Sequence, residues 1–280
     1  MQADQQEDIR AIFGQFLAAI SSVEWMVQFW GHFLQHSLQE YISKQDSRRV
    51  FEAVFAAYNI PADPRQMWLW SAPNDSFSLT TDEMEDYRRQ FFQMVMNLGY
   101  VKAYNALEML LFQGVVLAYF PADRPPAGKN AAKIGDDLVK KAFRERKEMG
   151  QLETKNNRHL IKFLRFNSLA FSFFVDQPVR TDHKASWGQF FEMVSIIRNV
   201  NTHHGGLSTR DTLNELQSCA KEIFQRAFTY ADGADSLFIL KPNEGDSFLY
   251  VITLIKDFAV NSIKFMFDQP DLSFLGLHRC

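Results

Sequence analysis

The stretch Ser186-Trp187-Gly188-Gln189-Phe190-Phe191-Glu192-Met193-Val194-Ser195-Ile196-Ile197-Arg198-Asn199-Val200-Asn201-Thr202-His203-His204-Gly205-Gly206 decides how this chain is read. An apolar run from Phe190 to Ile197 is opened by a serine and closed by polar residues and two glycines. That is a helix with both ends marked. Pro178 breaks the preceding helix, and the new one is expected from Ser186 to about Asn201. It should close near His203 or His204, with glycine at the C′ position.

Working outward, the three-and-four spacing recurs. Ile9, Ile12, Phe13, Phe16, Leu17, Ile20, Val23, Met26, Trp30, Phe33 and Leu34 predict one long helix over residues 6–44. Asp46-Ser47 offers an N-cap for a shorter helix through Tyr58. Pro61, Pro64, Pro73 and Asn74-Asp75-Ser76 then read as a connector over 59–80, with Trp68-Leu69-Trp70 packing back onto the helices. Thr80-Thr81-Asp82-Glu83 is a capping signal for a second long helix, carried by Tyr87, Phe91, Met94, Val95, Leu98 and Val101 to about Phe120. Pro121, Pro125, Pro126 and Gly128 stop it.

Lys129 to Gly150 reads as a polar, basic helix or pair of helices, and Asn156 to Val175 as a Phe-rich helix. Ser208 is expected to cap a further helix to about Tyr230. Near the C-terminus, Ser236–Leu240 and Ser247–Val251 flank Lys241-Pro242-Asn243-Glu244-Gly245-Asp246. They read as a small hairpin over 237–251, although the second half could equally begin a last helix, Phe248–Phe267. No strand–helix alternation and no internal repeat is present. The expected fold is all-α.

Composition bounds the function. Hydrophobic residues are 46% and charged residues 22% of 280, the balance of a soluble globular protein. Twenty-seven phenylalanines imply a large aromatic core and some buried interface, so one of the long helices is expected to contribute to a dimer. A net charge of −3 rules out polyanion binding by bulk charge, so any such site must be local. Cys219 and Cys280 fit no metal-ligand spacing and point to a reducing compartment. The acidic segment Met1–Asp8 is the opposite of a signal peptide's basic n-region. The charge-free window Met109–Ala122 is short of the roughly 20 residues that span a bilayer. A soluble, cytoplasmic protein with no membrane association is expected.

Arg198, Asn199 and His203 combine a permanent guanidinium charge, a carboxamide and an imidazole, the groups that handle a phosphodiester. On a continuous helix the Arg and His side chains stand about 140° apart. They converge only if the helix ends or bends between them, or if two copies of the chain meet. Asn201 and Gly205-Gly206 favour the first. The same residues also suit an ordinary helix terminus, with histidine near the last carbonyls.

The pattern Arg198-Asn199-x-x-x-His203, followed by His204-Gly205-Gly206 and preceded by an apolar helix bearing Glu192, resembles the HEPN superfamily. The resemblance implies a HEPN-like helical bundle over residues 81–230, with 1–80 as an N-terminal helical extension packed on it and 231–280 as a C-terminal hairpin and helix. It implies a metal-independent endoribonuclease, without cofactor, whose composite site forms in a homodimer. His203 would move the proton of the ribose 2′-hydroxyl or of the leaving 5′-oxygen. Arg198 would stabilise the charge on the pentacoordinate phosphate, and Asn199 would orient it. Products would be a 2′,3′-cyclic phosphate and a 5′-hydroxyl. Such proteins are often toxins or antiphage effectors, which implies an antitoxin or regulatory partner. The alternatives are a non-catalytic HEPN-type RNA-binding, nucleotide-binding or adaptor protein, and a plain helical interaction protein.

Auxiliary roles are open for His204, as a second phosphate ligand or a solvent-facing neighbour, and for Glu192, as an ion-pair partner or a contact to a second chain. Lys129 to Arg165 carries eleven Lys or Arg against five Asp or Glu. Within it Lys140, Lys141, Arg144, Arg158, Lys162 and Arg165 read either as an RNA-tracking surface or as a solvated helix face, as in Arg144-Glu145-Arg146-Lys147-Glu148. His32 and His36 have i, i+4 spacing but no acidic or cysteine partner nearby, so no metal site is expected. His159, His183 and His278 are scattered.

Overall fold

The helix read from the opening stretch is present and largely buried. The computed structural model describes residues 3–44, 51–59, 68–79, 81–123, 130–181, 183–233, 236–244, 246–269 and 272–275. Along these run α1 (Ala3–Lys44), β1 (Phe51–Asn59), β2 (Trp68–Leu79), α2 (Thr81–Tyr119), α3 (Ala131–Glu145), α4 (Arg158–Asn167), α5 (Leu169–Asp176) and α6 (Trp187–His203). They are followed by β3 (Leu207–Ser208), α7 (Arg210–Ala227), β4 (Phe228–Asp232), β5 (Phe238–Pro242) and α8 (Asp246–Met266). Helices dominate, as the periodicity requires, and among the described residues the strands form two small antiparallel sheets.

The chain divides into two compact units, Met1–Met26 with Met96–Cys280, and Val27–Val95. The boundaries read from sequence at residues 80 and 230 do not coincide with them. In the larger unit α6 buries Trp187, Phe190, Phe191, Met193, Val194, Ile196, Ile197 and Val200. It packs against α5 and α7, while α8 packs on α5 and α7, and α3 on α4. The many phenylalanines find their use here. Phe174, Trp187 and Phe258 pack against one another and Phe191 stacks on Phe258, with ring centroids 5.3–6.1 Å apart. A second cluster joins Tyr100 of α2 to Phe228 and Phe248 at 4.9 and 4.8 Å. Burying such rings contributes about 1.5–3 kcal/mol each.

In the smaller unit, Trp30 of α1 meets Phe91 of α2 edge-on at 5.8 Å, and Phe29 stacks on Phe33. Phe29, Phe33, Phe91 and Met94 are nonetheless exposed. The helix expected over 46–58 is a strand where the structure describes it. Phe51–Asn59 pairs with Trp68–Leu79, and Trp68-Leu69-Trp70 face Asn59-Tyr58-Ala57 in the ladder. The strict alternation Ser76-Phe77-Ser78-Leu79 suits a pleated strand and supplies the partner that decides the matter. The register shifts between Val54 and Ala56, opposite the stretch that holds Pro73. The cap at Asp46-Ser47 and the prolines at 61 and 64 lie outside the described residues.

Three further boundaries differ from expectation. The Phe-rich helix is two helices, because Ser168 adopts an extended conformation and caps α5 by accepting from the Phe171 N–H at 3.1 Å. The cap of α7 is Thr209, whose Oγ1 accepts from Thr212 N–H; Ser208 belongs to β3, and Tyr230 lies on β4 beyond the helix end. The hairpin joins β4 to β5, not 237–240 to 247–251, and the latter residues open α8. The helical spacing of Phe248, Val251, Ile252 and Ile255 buries all four side chains, which a strand could not do from one face. Two helical stretches, Asp4–His36 and Glu85–Tyr119, are long and apolar enough by composition to cross a bilayer, although the sequence window was short. Over half of the second one's most apolar window is buried in protein.

Candidate functional site

Both ends of α6 are locked by local chemistry. At its start, Ser186 accepts from the Gln189 N–H while the Gln189 carboxamide accepts from the Ser186 N–H. At its end, the His204 and Gly206 N–H groups both return to the Val200 carbonyl, at 3.1 and 3.2 Å. Gly205 and Gly206 reverse the chain at φ 58° and 87°, conformations that cost any other residue strain. Leu240 N–H then binds the Gly206 carbonyl at 2.9 Å, so the three-stranded sheet pins the turn.

Arg198 is half-buried on α6. Its Nε donates to Asn105 Oδ1 of α2 at 3.2 Å and its Nη1 to Asn199 Oδ1 at 2.9 Å. Among the described residues its Nη2 has no protein acceptor. Asn199 in turn donates through Nδ2 to Asn156 Oδ1 at 3.1 Å. Asn156 and Asn157 are consecutive residues in the left-handed region, at φ 53° and 55°. Such conformations cost roughly 1–2 kcal/mol per residue and persist only where surroundings hold them.

The surroundings here are polar. Asn156 is buried and donates to Glu215 Oε1 at 3.5 Å; Asn157 donates to the Tyr104 hydroxyl at 2.7 Å and to Glu108. The Tyr104 hydroxyl donates a hydrogen bond to Ser195 Oγ at 3.0 Å, and burial pushes the phenol's pKa up. Glu215 on α7 also receives Lys155 at 2.8 Å and Arg158 at 3.1 Å. Arg158 pairs with Glu192, so Glu192 takes the ion-pair role. The Glu192 carboxylate holds the Arg158 pKa above its ordinary value. Burial lifts the nearby Cys219 thiol to about 12, which leaves it unreactive as a thiolate.

Arg198 and Asn199 are thus brought together; His203 is not brought to them. The helix closes at His204 with Gly205 after it, as expected, but it runs unbroken from Arg198 through His203, so the two do not converge and stand about 140° apart. His203 and His204 are exposed on the last turn and C-cap, their rings 6.4 Å apart. Of the basic candidates, Lys140 pairs with Asp136 and Lys141 with Glu145 along α3, the solvated-face arrangement. Arg144 lies exposed on the same helix. Arg158, Lys162 and Arg165 line one face of α4. Among the described residues no group of three or more His, Cys, Asp or Glu side chains is placed to hold a metal ion.

Sequence reasoning missed Tyr104, Asn105, Ser195, Asn156, Asn157 and Glu215. The one signal for them was Asn156-Asn157 beside Lys155 and Arg158, since asparagine tolerates left-handed backbone. Near Gly206, the buried Asn97 Oδ1 and Asn201 carboxamide have no hydrogen-bond partner among the described residues, and neither has the Tyr100 hydroxyl on α2. Asn201 Oδ1 stands 3.6 Å from where a Cβ on Gly206 would lie. No protein-family model, curated relative or solved structure matches this chain.

Proposed function

We propose that this chain is a metal-independent endoribonuclease of HEPN type. It works in the cytoplasm as a homodimer, as a toxin or antiphage effector restrained by an antitoxin or regulatory protein. The observation that carries the reading is Arg198 clamped by Asn105 and Asn199, with Nη2 left to a phosphate oxygen, on the helix that ends in exposed His203. A guanidinium fixed before substrate arrives stabilises developing charge without reorganising at the moment of reaction. Because His203 points away from Arg198 in one chain, the imidazole acting on each Arg198 comes from the second copy. It takes the 2′-hydroxyl proton or protonates the leaving 5′-oxygen, a contribution of roughly 10²–10⁴ in rate. The exposed Phe29, Phe33, Phe91 and Met94 supply apolar surface of the kind that associates.

The test is complementation in EDTA on a mixed RNA pool. Arg198→Ala and His203→Ala proteins should each be inactive alone. Mixed and allowed to exchange subunits, they should recover about a quarter of wild-type cleavage, since half the dimers carry one intact site. Products should end in cyclic phosphate. Wild-type protein that binds RNA without cutting it would replace this reading with the binding or adaptor role.

A further inference from the structure

A cavity of about 540 Å³ lies between α4 and the first turns of α6, and it is separate from the Arg198 clamp. Arg158, Lys162 and Arg165 enter it from α4 with i, i+4, i+7 spacing, a single face spread over roughly 10 Å. Ile161 and the buried ring of Phe191 form apolar lining, and Gly188 leaves the α6 wall without a side chain. A Cβ there would lie 3.3 Å from the Val175 carbonyl oxygen, a tight contact. Two carboxylates, Asp176 and Glu192, face three cations.

The cations are not equally committed. Arg158 is held by Glu192 and Glu215. Arg165 meets Asp176 in an exposed pair, the kind that contributes little and yields to a better partner. Lys162 donates to the Gln151 carbonyl at 2.9 Å and reaches Glu153 at 3.8 Å, again at the surface. Lys162 and Arg165 therefore offer positive charge to a ligand, beside Ile161 and in a volume typical of small-molecule sites. Asn156 also lines the cavity, and the same side chain accepts from Asn199 beside Arg198.

We propose that this groove is a nucleotide-phosphate site: Lys162 and Arg165 bind the phosphate, and the base lies against Ile161. It holds the nucleotide adjacent to the phosphodiester presented to Arg198, and in that respect rests on the ribonuclease reading. The binding itself does not. The nucleotide comes either from an RNA strand or from a free nucleoside monophosphate.

The experiment is fluorescence anisotropy of a labelled 2′-O-methyl oligoribonucleotide, which lacks the nucleophile for cleavage, across a salt series. Wild type should bind; Lys162→Glu with Arg165→Glu should bind at least tenfold more weakly. Lys162→Ala with Arg165→Ala, the milder pair if charge reversal disturbs folding, should lower the salt slope by about 1.4 for two lost single-strand phosphate contacts. Arg198→Ala removes a phosphate contact of its own, so its effect on binding should add to that of the double variant, since the clamp and the groove are separate. Competition by a nucleoside monophosphate assigns the groove to free nucleotide, and its failure assigns it to the strand. Folded double variants that bind as wild type does, or a wild type that binds neither probe, overturn the proposal. Wild type that binds through the groove but leaves unmodified RNA intact would sink the ribonuclease reading and leave the groove standing.

Discussion

The carboxamide of Asn199 donates to the carboxamide of Asn156 across 3.1 Å, tying the Arg198 helix to a turn of two left-handed asparagines. Each end of the bond depends on the other. Asn199 cannot both brace the Arg198 guanidinium and stay oriented without an acceptor for its own Nδ2. The strained turn cannot persist without partners for its side chains.

Substitution at Asn156 separates those contributions. Asn156→Gly keeps the left-handed backbone without a side chain, and Asn156→Ala removes the side chain and adds strain. Denaturant titration should find both destabilised, with the alanine protein less stable by about 1 kcal/mol. RNA cleavage should fall in both alike, because both free Asn199. Equal stabilities would remove the case for strain in this turn.

His203 should dissociate stability from activity. Its ring is exposed at a helix end, so His203→Ala should change unfolding free energy by no more than about 0.5 kcal/mol. The proposed chemistry expects cleavage to fall by roughly 10²–10⁴. A melting curve beside a cleavage assay checks both on one preparation.

His159 gives stability a pH dependence of predictable sign. Its ring is buried against Phe112 with Nε2 on Asp136 Oδ1 at 2.7 Å, and burial, outweighing Asp136, lowers its pKa. With the folded value below the unfolded one, the unfolded chain binds more protons in between. Stability is therefore full above the unfolded value near 6.5 and declines as pH falls toward the folded value. Urea midpoints should drop between about pH 7 and about pH 5.5 in wild type, and drop less in His159→Gln. An equal drop in both would exclude His159 as the cause.

Two helical glycines should respond oppositely to alanine. At Gly14 on α1 an added Cβ meets nothing within 4 Å, so Gly14→Ala should stabilise by about 0.5–1 kcal/mol. At Gly135 on α3 it would lie 2.7 Å from the Phe112 carbonyl oxygen, so Gly135→Ala should destabilise by about 1–3 kcal/mol as α3 is forced off α2. Thermal melts of the two variants are sufficient.

Sequence alone determined what depends on neighbours a few residues away. The long helices α1 and α2, the limits of α6 with its glycine closure, and the adjacency of Arg198 and Asn199 follow from periodicity, capping and spacing. Tertiary structure decided what depends on residues far apart in the chain. Residues 51–59 are a strand because 68–79 offers a ladder, and Phe238–Pro242 pairs upstream with β4 because 246–266 buries better as a helix. The brace around Arg198 draws Asn105 and Asn156 from 93 and 42 positions away along the chain, and no local pattern encodes such a meeting.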